Sequence, residues 1–582
     1  MDLTYNALLQ QATQRYLDSI DVRNQPSPEK VESELLEVTN EAIDAYNLGP
    51  EDDSAPPGAP MKVRFPAQRP TSERIRKLRR LEPSQVAACM TKLDGACRIA
   101  PTGLNGDPDY DLVAVYQKDG DNKGIYVTSE DELRKIARSY NYTMSSKEFD
   151  EIMIALRDMA PRRARCSDRD LIAVNNGIFD YKTKLLMDFD PELVFMTKSH
   201  VDYVDNAQNP VIHNNDDGTD WDVVSWMSEL SDDPEIVHLL WEILGAIIRP
   251  NVSWNKSAWL FSETGNNGKG TLCALMRNLC GAGAYASIPL KDFSKDFMLE
   301  PLTRASAIIV DENDVGTYID QAANLKAVIT NDVISINRKF KTPVAYQFWG
   351  FMVQCMNEFP RVKDRSDSFY RRQLFIPMTK SFEGHERKYI KDDYLARSEV
   401  LQYVLFHVLH DTNYYSLSEP QACRDVLTEY KSFNDPVRQF FEELEGSAVW
   451  KLLPYAFLYD LYTQWFKENQ PSGTIIGKTP FLREIRQLAQ KSKVFYIAPG
   501  DPSVRADNRM DYPEPLIYEY GLSKWMDKSY RGANPDRISS PYVHGKTYRG
   551  LQRYDDATLP SQPDDDENDT DSSDTEKGEN NE

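Results

Sequence analysis

The chain predicts an α/β protein built round a core in which a strand runs into a phosphate-cradling loop and then a helix. Three observations predict it. The first is Trp259-Leu-Phe-Ser-Glu-Thr-Gly-Asn-Asn-Gly-Lys-Gly-Thr-Leu272, an apolar run and a Gly/Asn-rich turn, continued by a helix-like stretch to Leu279. The second is Ala305-Ser-Ala-Ile-Ile-Val-Asp-Glu-Asn313, which begins 36 residues after Lys269 and reads as a buried parallel strand ending in two carboxylates. The third is the mixed α/β character of residues 110–240, with strand-like runs at Asp111–Tyr116 and Gly124–Val127.

Taken in order, residues 1–49 suggest two helices, the second opening near Ser27-Pro-Glu-Lys30. Residues 50–61 have the Pro, Gly and acidic composition of a linker. Arg74-Ile-Arg-Lys-Leu-Arg-Arg80 reads as a basic helical stretch, a solvated face with DNA contact as the alternative. Asn175–Leu186 reads as a hairpin.

The loop carries the chemistry. Gly265, Asn266, Asn267, Gly268 and Gly270 let the backbone turn with its N–H groups inward. The following helix N-terminus adds a positive dipole end, Lys269 a mobile charge for β/γ-phosphates and Thr271 a hydroxyl for Mg²⁺. The strict pattern G-x-x-x-x-G-K-[ST] would have Gly at 263 and Ser/Thr at 270, where this chain has Glu263 and Gly270. The turn is therefore expected at Gly265 and the hydroxyl at Thr271. A ligand-free strand–turn–helix has the same outline. The acidic strand tips the balance: Asp311 suits a Mg²⁺ shell and Glu312 can polarise an attacking water, both at the rim where open α/β sheets bind ligands.

Further segments come in order: Leu325–Lys341, Phe351-Met-Val-Gln-Cys-Met-Asn-Glu-Phe-Pro360 and Asp367-Ser-Phe-Tyr-Arg-Arg-Gln-Leu-Phe-Ile-Pro377. This succession resembles the superfamily 3 helicases, above all the helicase domain of phage and plasmid primases of the satellite-phage type, related to the poxvirus primase-helicase. The resemblance covers roughly residues 110–380. It implies an AAA+-like P-loop core, with Asn357 orienting the lytic water or sensing the γ-phosphate. It implies that Arg371 or Arg372 reaches a neighbour's γ-phosphate, and that a hairpin bearing Arg338, Lys339, Phe340 and Lys341 grips DNA in a central channel. Cations neutralising phosphates and an aromatic packing on sugar or base make that hairpin reading physical, and a solvated β-turn is its alternative.

Net charge is −23, an unusual balance for a DNA-binding chain. Residues 561–582 hold ten Asp/Glu and one Lys, a local charge of −9, and the rest carries −14. DNA contact must then be local, through a lined channel or a small patch. The tail is expected to be disordered, as a solubilising segment or one that recruits a basic partner or mimics DNA. Seven scattered cysteines without a C-x-x-C pair argue against zinc sites and disulfide frameworks. No apolar run approaches the roughly 20 residues of a membrane helix. The first residues lack a signal core, so a cytoplasmic protein is expected, in the host cytoplasm if it is phage-encoded.

After the core, Asp435–Phe441 starts a helix, Tyr459–Phe466 is amphipathic, and Gly477–Arg486 presents Lys478, Arg483 and Arg486. This is compatible with a winged helix-turn-helix, which the family often carries, or with a helical packing domain. The expected divisions are a helical segment and linker at 1–61, an α/β region at 62–234 and the ATPase core at 235–400. They continue with a helical or winged-helix-like domain at 401–500, an unassigned 501–555 and an acidic tail at 556–582.

The expectation is an ATP hydrolase and DNA helicase of phage or mobile-element replication. It would use ATP and Mg²⁺ and act on single-stranded and forked DNA as a homo-hexamer, with a separate primase or other replication proteins as partners and no membrane. Asp109-Tyr-Asp111 is the upstream Asp-x-Asp considered for primer synthesis, and it lies before its strand rather than within it. The alternatives are an origin-binding initiator with weak unwinding, a primase-helicase that makes primers, and an inactive scaffold or packaging-type ATPase.

Overall fold

A computed structural model describes residues 2–21, 24–48, 69–339, 341–469 and 475–554. The chain divides into two units, residues 1–428 and 429–582. The linker at 50–61 and the acidic tail lie outside the described residues.

The first unit opens with the two expected helices, α1 (Asp2–Ser19) and α2 (Pro28–Leu48). They are not a separate segment. Tyr16, Leu17, Val31 and Leu35 share one apolar cluster with α3 (Pro83–Leu93), α4 (Glu130–Tyr140) and α5 (Ser146–Met159). These helices lie against a small sheet of order β3-β2-β1-β4, made of β1 (Cys97–Ala100), β2 (Leu112–Tyr116), β3 (Tyr126–Val127) and β4 (Arg162–Ala164). The expected basic helix at 74–80 does not form. Its backbone is claimed by two asparagines of α2: Asn47 exchanges hydrogen bonds with both backbone groups of Ile75, and Asn40 with both of Leu78. A side-chain amide that mimics a strand partner holds this segment extended, and Lys77 and Arg80 turn to Asp44 and Glu148.

Next comes a three-stranded antiparallel meander, β5 (Leu171–Val174), β6 (Gly177–Asp180) and β7 (Leu185–Met187), which contains the expected hairpin. A ribbon of β8 (Ile212–His213) and β9 (Asp220–Trp221) leads to α6 (Val223–Glu229) and α7 (Pro234–Ile248). Helix α7 is apolar nearly all round and buried from Leu239 to Ile248, as a helix sunk in a core must be.

The central sheet is entirely parallel. Its members are β10 (Ser257–Phe261), β11 (Tyr285–Ala286), β12 (Ala307–Val310), β16 (Phe351–Met356) and β18 (Gln373–Pro377), in the order β11-β12-β16-β10-β18. Every residue of β10, β12 and β16 is buried, which is why these strands read as continuous apolar runs. Helix α8 (Lys269–Cys280) follows β10. Between β12 and β16 lie the short β13 (Tyr318–Ile319), α9 (Ala323–Ile329), and the hairpin of β14 (Val333–Arg338) with β15 (Lys341–Gln347). Strand β17 (Arg361–Val362) pairs with β13, and α10 (Asp367–Tyr370) precedes β18. Helices α11 (Lys388–Asp392) and α12 (Ser398–Phe406) close this unit's core, and α13 (Gln421–Asn434) spans the division between the units.

The second unit runs α14 (Pro436–Ser447), β19 (Leu452–Pro454), α15 (Tyr455–Asn469), α16 (Lys478–Ala489), β20 (Phe495–Tyr496) and finally β23 (Gly550–Arg553). Strand β23 lies between β19 and β20 and is antiparallel to both. Residues 501–549, which the sequence leaves without a fold, hold the ribbon of β21 (Val504–Arg505) and β22 (Thr547–Tyr548) with α17 (Pro515–Glu519) and α18 (Pro535–Ile538). Met510, Leu516, Ile517 and Leu522 join the apolar cluster of α14–α16, so this segment is part of the unit's core.

Candidate active site

Loop 262–268 leaves β10 at the C-terminal edge of the parallel sheet, the usual ligand edge of such sheets. The left-handed turns fall on Asn266 (φ 54°) and Gly268 (φ 82°), not on Gly265 as expected. An added Cβ at Gly265 would meet nothing within 4 Å, whereas at Gly268 it would come 2.7 Å from Leu230 Cδ2. Gly268 is therefore required twice, for its backbone angle and for the closeness of Leu230. Asn267 is buried and its Nδ2 donates to the Thr264 carbonyl at 2.5 Å, bracing the turn from inside. The Asn266 carbonyl accepts from the Phe382 N–H at 2.7 Å, and its Nδ2 donates to Glu386 Oε1 at 3.0 Å.

Lys269 opens α8 and is 6% exposed. Its Nζ donates to Asn357 Oδ1 at 2.8 Å, which joins the loop to the end of β16. Burial pushes the Lys269 ammonium below its ordinary pKa, against the opposing pull of Cys355, Cys273 and Glu312. The ring of Phe261, the last residue of β10, stacks on Phe359 at 4.2 Å and fixes the turn that carries Asn357. Thr271 is half-buried in the first turn of α8.

The acidic pair sits at the end of β12, with β16 between it and β10. Asp311 is held from both its oxygens by Arg277 of α8, which donates to Oδ2 at 2.8 Å and to Oδ1. Glu312 is exposed. Mg²⁺ bound with a nucleotide asks only one or two ligands of the protein. Thr271 offers a hydroxyl, while Asp311, bridged by Arg277, would reach the ion through water.

Arg371 and Arg372 are at the other end of the sheet. The Ser257 N–H donates to the Arg372 carbonyl, and β18 then runs beside β10 from Ser257↔Gln373 to Phe261↔Pro377. Arg372 is tied to its own helix, since its Nη1 donates to Ser368 Oγ at 2.8 Å and to the Ser368 carbonyl. Burial, then repulsion from Arg371, push the Arg372 guanidinium below its ordinary pKa. Arg371 is exposed and its guanidinium makes no hydrogen bond or ion pair with a described residue.

The expected DNA hairpin forms, but its cations separate. Arg338 is half-buried in a cavity of about 650 Å³ beside Arg157, Glu130 and Glu300. Burial and then Arg157 push its guanidinium below the ordinary pKa, opposed by Glu300 and Glu130. Lys339 is exposed. Phe340 and the side chain of Lys341 lie outside the described residues.

Several residues of the site escape a reading of the sequence. Arg277 looks like one more polar position on a helix. Asn313 is buried, taking the Leu290 N–H at 2.9 Å and donating to Gln354 Oε1 at 2.9 Å and to the Cys355 carbonyl. This amide network fixes the turn after the carboxylates, and Gln354, a lone polar residue inside a buried run, was the signal for it. Of the upstream Asp-x-Asp, Asp109 is exposed on the wall of the cavity that holds Arg338, but its companion is not available to a ligand. Asp111 is 3% exposed and bridged on both oxygens by Arg162 Nε and Nη2, at 2.7 and 2.9 Å.

Three family models match segments of the chain in order. "D5 N terminal like" covers residues 109–245, a family of unknown function, DUF5906, covers 260–372, and "Poxvirus D5 protein-like" covers 432–503. No curated protein matches. Among solved structures, the A form apo structure of the NrS-1 C terminal region is 13% identical with a TM-score of 0.40, covering 81% of this chain and 100% of that one. A second apo structure of the NrS-1 C terminal region is 12% identical at TM-score 0.39, covering 74% of this chain and 97% of that one. At such scores neither likeness carries an argument about this chain. The two D5 matches lie on either side of the loop and the acidic strand, and over those segments the chain is similar to the D5-like families.

Proposed function

We propose that the chain is an ATP-driven DNA helicase of the superfamily 3 type, acting as a ring, most simply a hexamer. The observation that carries this is the hydrogen bond of Lys269 Nζ to Asn357 Oδ1 at the ligand edge of a parallel sheet, one strand away from Asp311 and Glu312. That constellation has the parts of a P-loop nucleotidase of the AAA+-like type. The loop N–H groups and the N-terminus of α8 receive the phosphates, and Lys269 neutralises their charge. Glu312 accepts a proton from the attacking water as its oxygen closes on the γ-phosphorus and the bond to the ADP oxygen breaks. Asn357 orients that water. Mg²⁺, when bound, supplies charge neutralisation between the phosphates, with Thr271 and, through water, Asp311 as its protein-side partners.

Arg371 stands too far along the sheet to serve its own loop and is free to serve a neighbour's, which is the reason for a ring. In the channel, Lys339 and Lys341 at the hairpin tip are the DNA contacts. The second unit supports a winged-helix reading. Its order of helix, strand, two helices and two strands, with the last strand in the middle of the sheet, is that of the motif, and Lys478 and Arg483 are exposed on α16. This same unit favours an origin-binding initiator as the second reading. Primer synthesis has less support, because Asp111 is spent on Arg162.

The test is ATP hydrolysis by the pure protein with and without single-stranded DNA, beside displacement of a strand from a fork. Hydrolysis stimulated by DNA and coupled to displacement is expected. No hydrolysis in either condition would sink the nucleotidase reading. Hydrolysis with tight sequence-specific duplex binding and no displacement would replace the helicase by the initiator.

A further inference from the structure

Beside the loop lies a cavity of about 350 Å³, walled by α6 and its C-terminal end on one side and by residues 382–392 on the other. Two of its apolar side chains touch the loop itself. The position of a Cβ on Gly268 is 2.7 Å from Leu230 Cδ2 and 3.5 Å from Phe382 Cε2. A cation touches it as well. The position of a Cβ on Gly270 is 3.7 Å from Lys391 Nζ. Gly270 is the place where the strict loop pattern carries Ser or Thr. The bulk of a threonine there would occupy the corner that the Lys391 ammonium uses.

Lys391 is exposed, and its ammonium is available to a ligand in the cavity. Its ammonium faces the first turn of α8, a positive dipole end, on a loop that already carries Lys269. It makes no hydrogen bond or ion pair with a described residue. The carboxylates in the cavity wall do not neutralise it: Glu229 pairs with Arg387, Glu386 accepts from Asn266, and Asp392 is not bonded to it. The cavity's size lies at the lower end of the range for small-molecule sites, and its wall joins an apolar patch to a few polar groups, as such sites do.

We propose that Lys391 is a second phosphate ligand from the same chain, and that the nucleoside of the bound nucleotide lies in this cavity against Leu230 and Phe382. The proposal rests on the reading of loop 262–268 as a triphosphate site. It gives the departure at Gly270 a physical reason: the hydroxyl moves to Thr271 and a lysine from α11 takes the corner it leaves.

The experiment is calorimetric titration of the full chain with ATP and, separately, with inorganic tripolyphosphate, for wild type, Lys391→Ala, Lys391→Arg and Phe382→Ala. Thermal denaturation checks that each variant is folded. Lys391→Ala should weaken both ligands by roughly 10- to 100-fold, the size of a lost charge-assisted hydrogen bond, and Lys391→Arg should recover most of the loss. Phe382→Ala should weaken ATP by more than it weakens tripolyphosphate, and equal losses for the two ligands would overturn the nucleoside placement. Wild-type affinity of Lys391→Ala for tripolyphosphate would overturn the phosphate role while leaving the loop reading intact. Undiminished ATP binding by Phe382→Ala would overturn the nucleoside placement. A wild-type chain that binds neither ligand overturns the loop reading and this proposal together.

Discussion

The position of Arg371 makes a quantitative prediction about mixed oligomers. Strands β10 and β18 run in register over five residue pairs, from Ser257↔Gln373 to Phe261↔Pro377. At about 3.3 Å per residue, roughly 13 Å of sheet separates the arginine end from the start of the loop, and Lys269 lies beyond the loop. One arginine side chain does not cover that span, so on the proposed reading Arg371 and the loop of one chain would serve different sites. Arg371→Ala should therefore fold, bind ATP and lose about 10³- to 10⁵-fold in turnover, the usual weight of such a finger. Lys269→Ala subunits should be inactive for a different reason. Mixed one to one, half of the loops are intact and half of the neighbours carry Arg371. In a ring of head-to-tail interfaces, roughly one site in four then has both parts. Mixing should recover up to about a quarter of wild-type hydrolysis, hundreds of times the sum of the two variants. The assay is steady-state phosphate release from oligomers refolded together, with mixing demonstrated by differential tags. Mixed rings that hydrolyse no faster than the sum of the separate variants would refute the reasoning.

Glu312→Gln should bind ATP and Mg²⁺ normally and hydrolyse poorly, and normal turnover in both this variant and Asp311→Asn would reduce the acidic pair to a turn. Replacing Lys339 and Lys341 by Ala should spare basal hydrolysis and abolish strand displacement. It should also remove a slope of roughly 0.7 per lost contact from the salt dependence of single-strand binding, and an unchanged slope with normal displacement would exclude the hairpin. Asp94 is pushed up to about 6 by burial, against the hydrogen bond from Tyr140 and the charge of Lys118. A carboxyl raised in the folded state costs nothing below its unfolded pKa near 4 and destabilises progressively up to pH 6. Asp94→Asn should therefore stabilise the chain by about 3 kcal/mol at pH 7.5 and by about half that at pH 5 in urea unfolding. Equal effects at the two pH values would remove Asp94 from the account.

What the sequence makes legible is what local pattern controls. The buried strands announce themselves because parallel strands are apolar on both faces, and the loop because only Gly and Asn take its angles readily. The hairpin at 333–347 and the two N-terminal helices are legible for the same local reasons. What stays hidden depends on long-range pairing. The strip at 74–80 has helical composition, yet Asn40 and Asn47 take its backbone groups and no propensity reveals that. Arg277 faces Asp311 across 34 positions of sequence, and Lys391 reaches Gly270 across more than a hundred. The left-handed turn was expected at Gly265 because glycine is the default choice, but asparagine tolerates the same region, and Asn266 is held there by Phe382 and Glu386.

Arg338 is the last residue of β14 and pairs across the turn with Lys341, so it stands beside the tip of the hairpin. Arg338 faces Arg157, Glu130 and Glu300, so its charge is already committed to the boundary between the hairpin and the upstream α/β region. The base is anchored separately, where the buried Tyr346 hydroxyl accepts from Arg165 Nη1 at 3.3 Å. On the proposed helicase reading, a hairpin held to the upstream region near its tip and at its base would move together with that region. Strands β5 and β6 share one apolar cluster with α7, α8 and the central sheet, and close packing of that kind would let them move with the core.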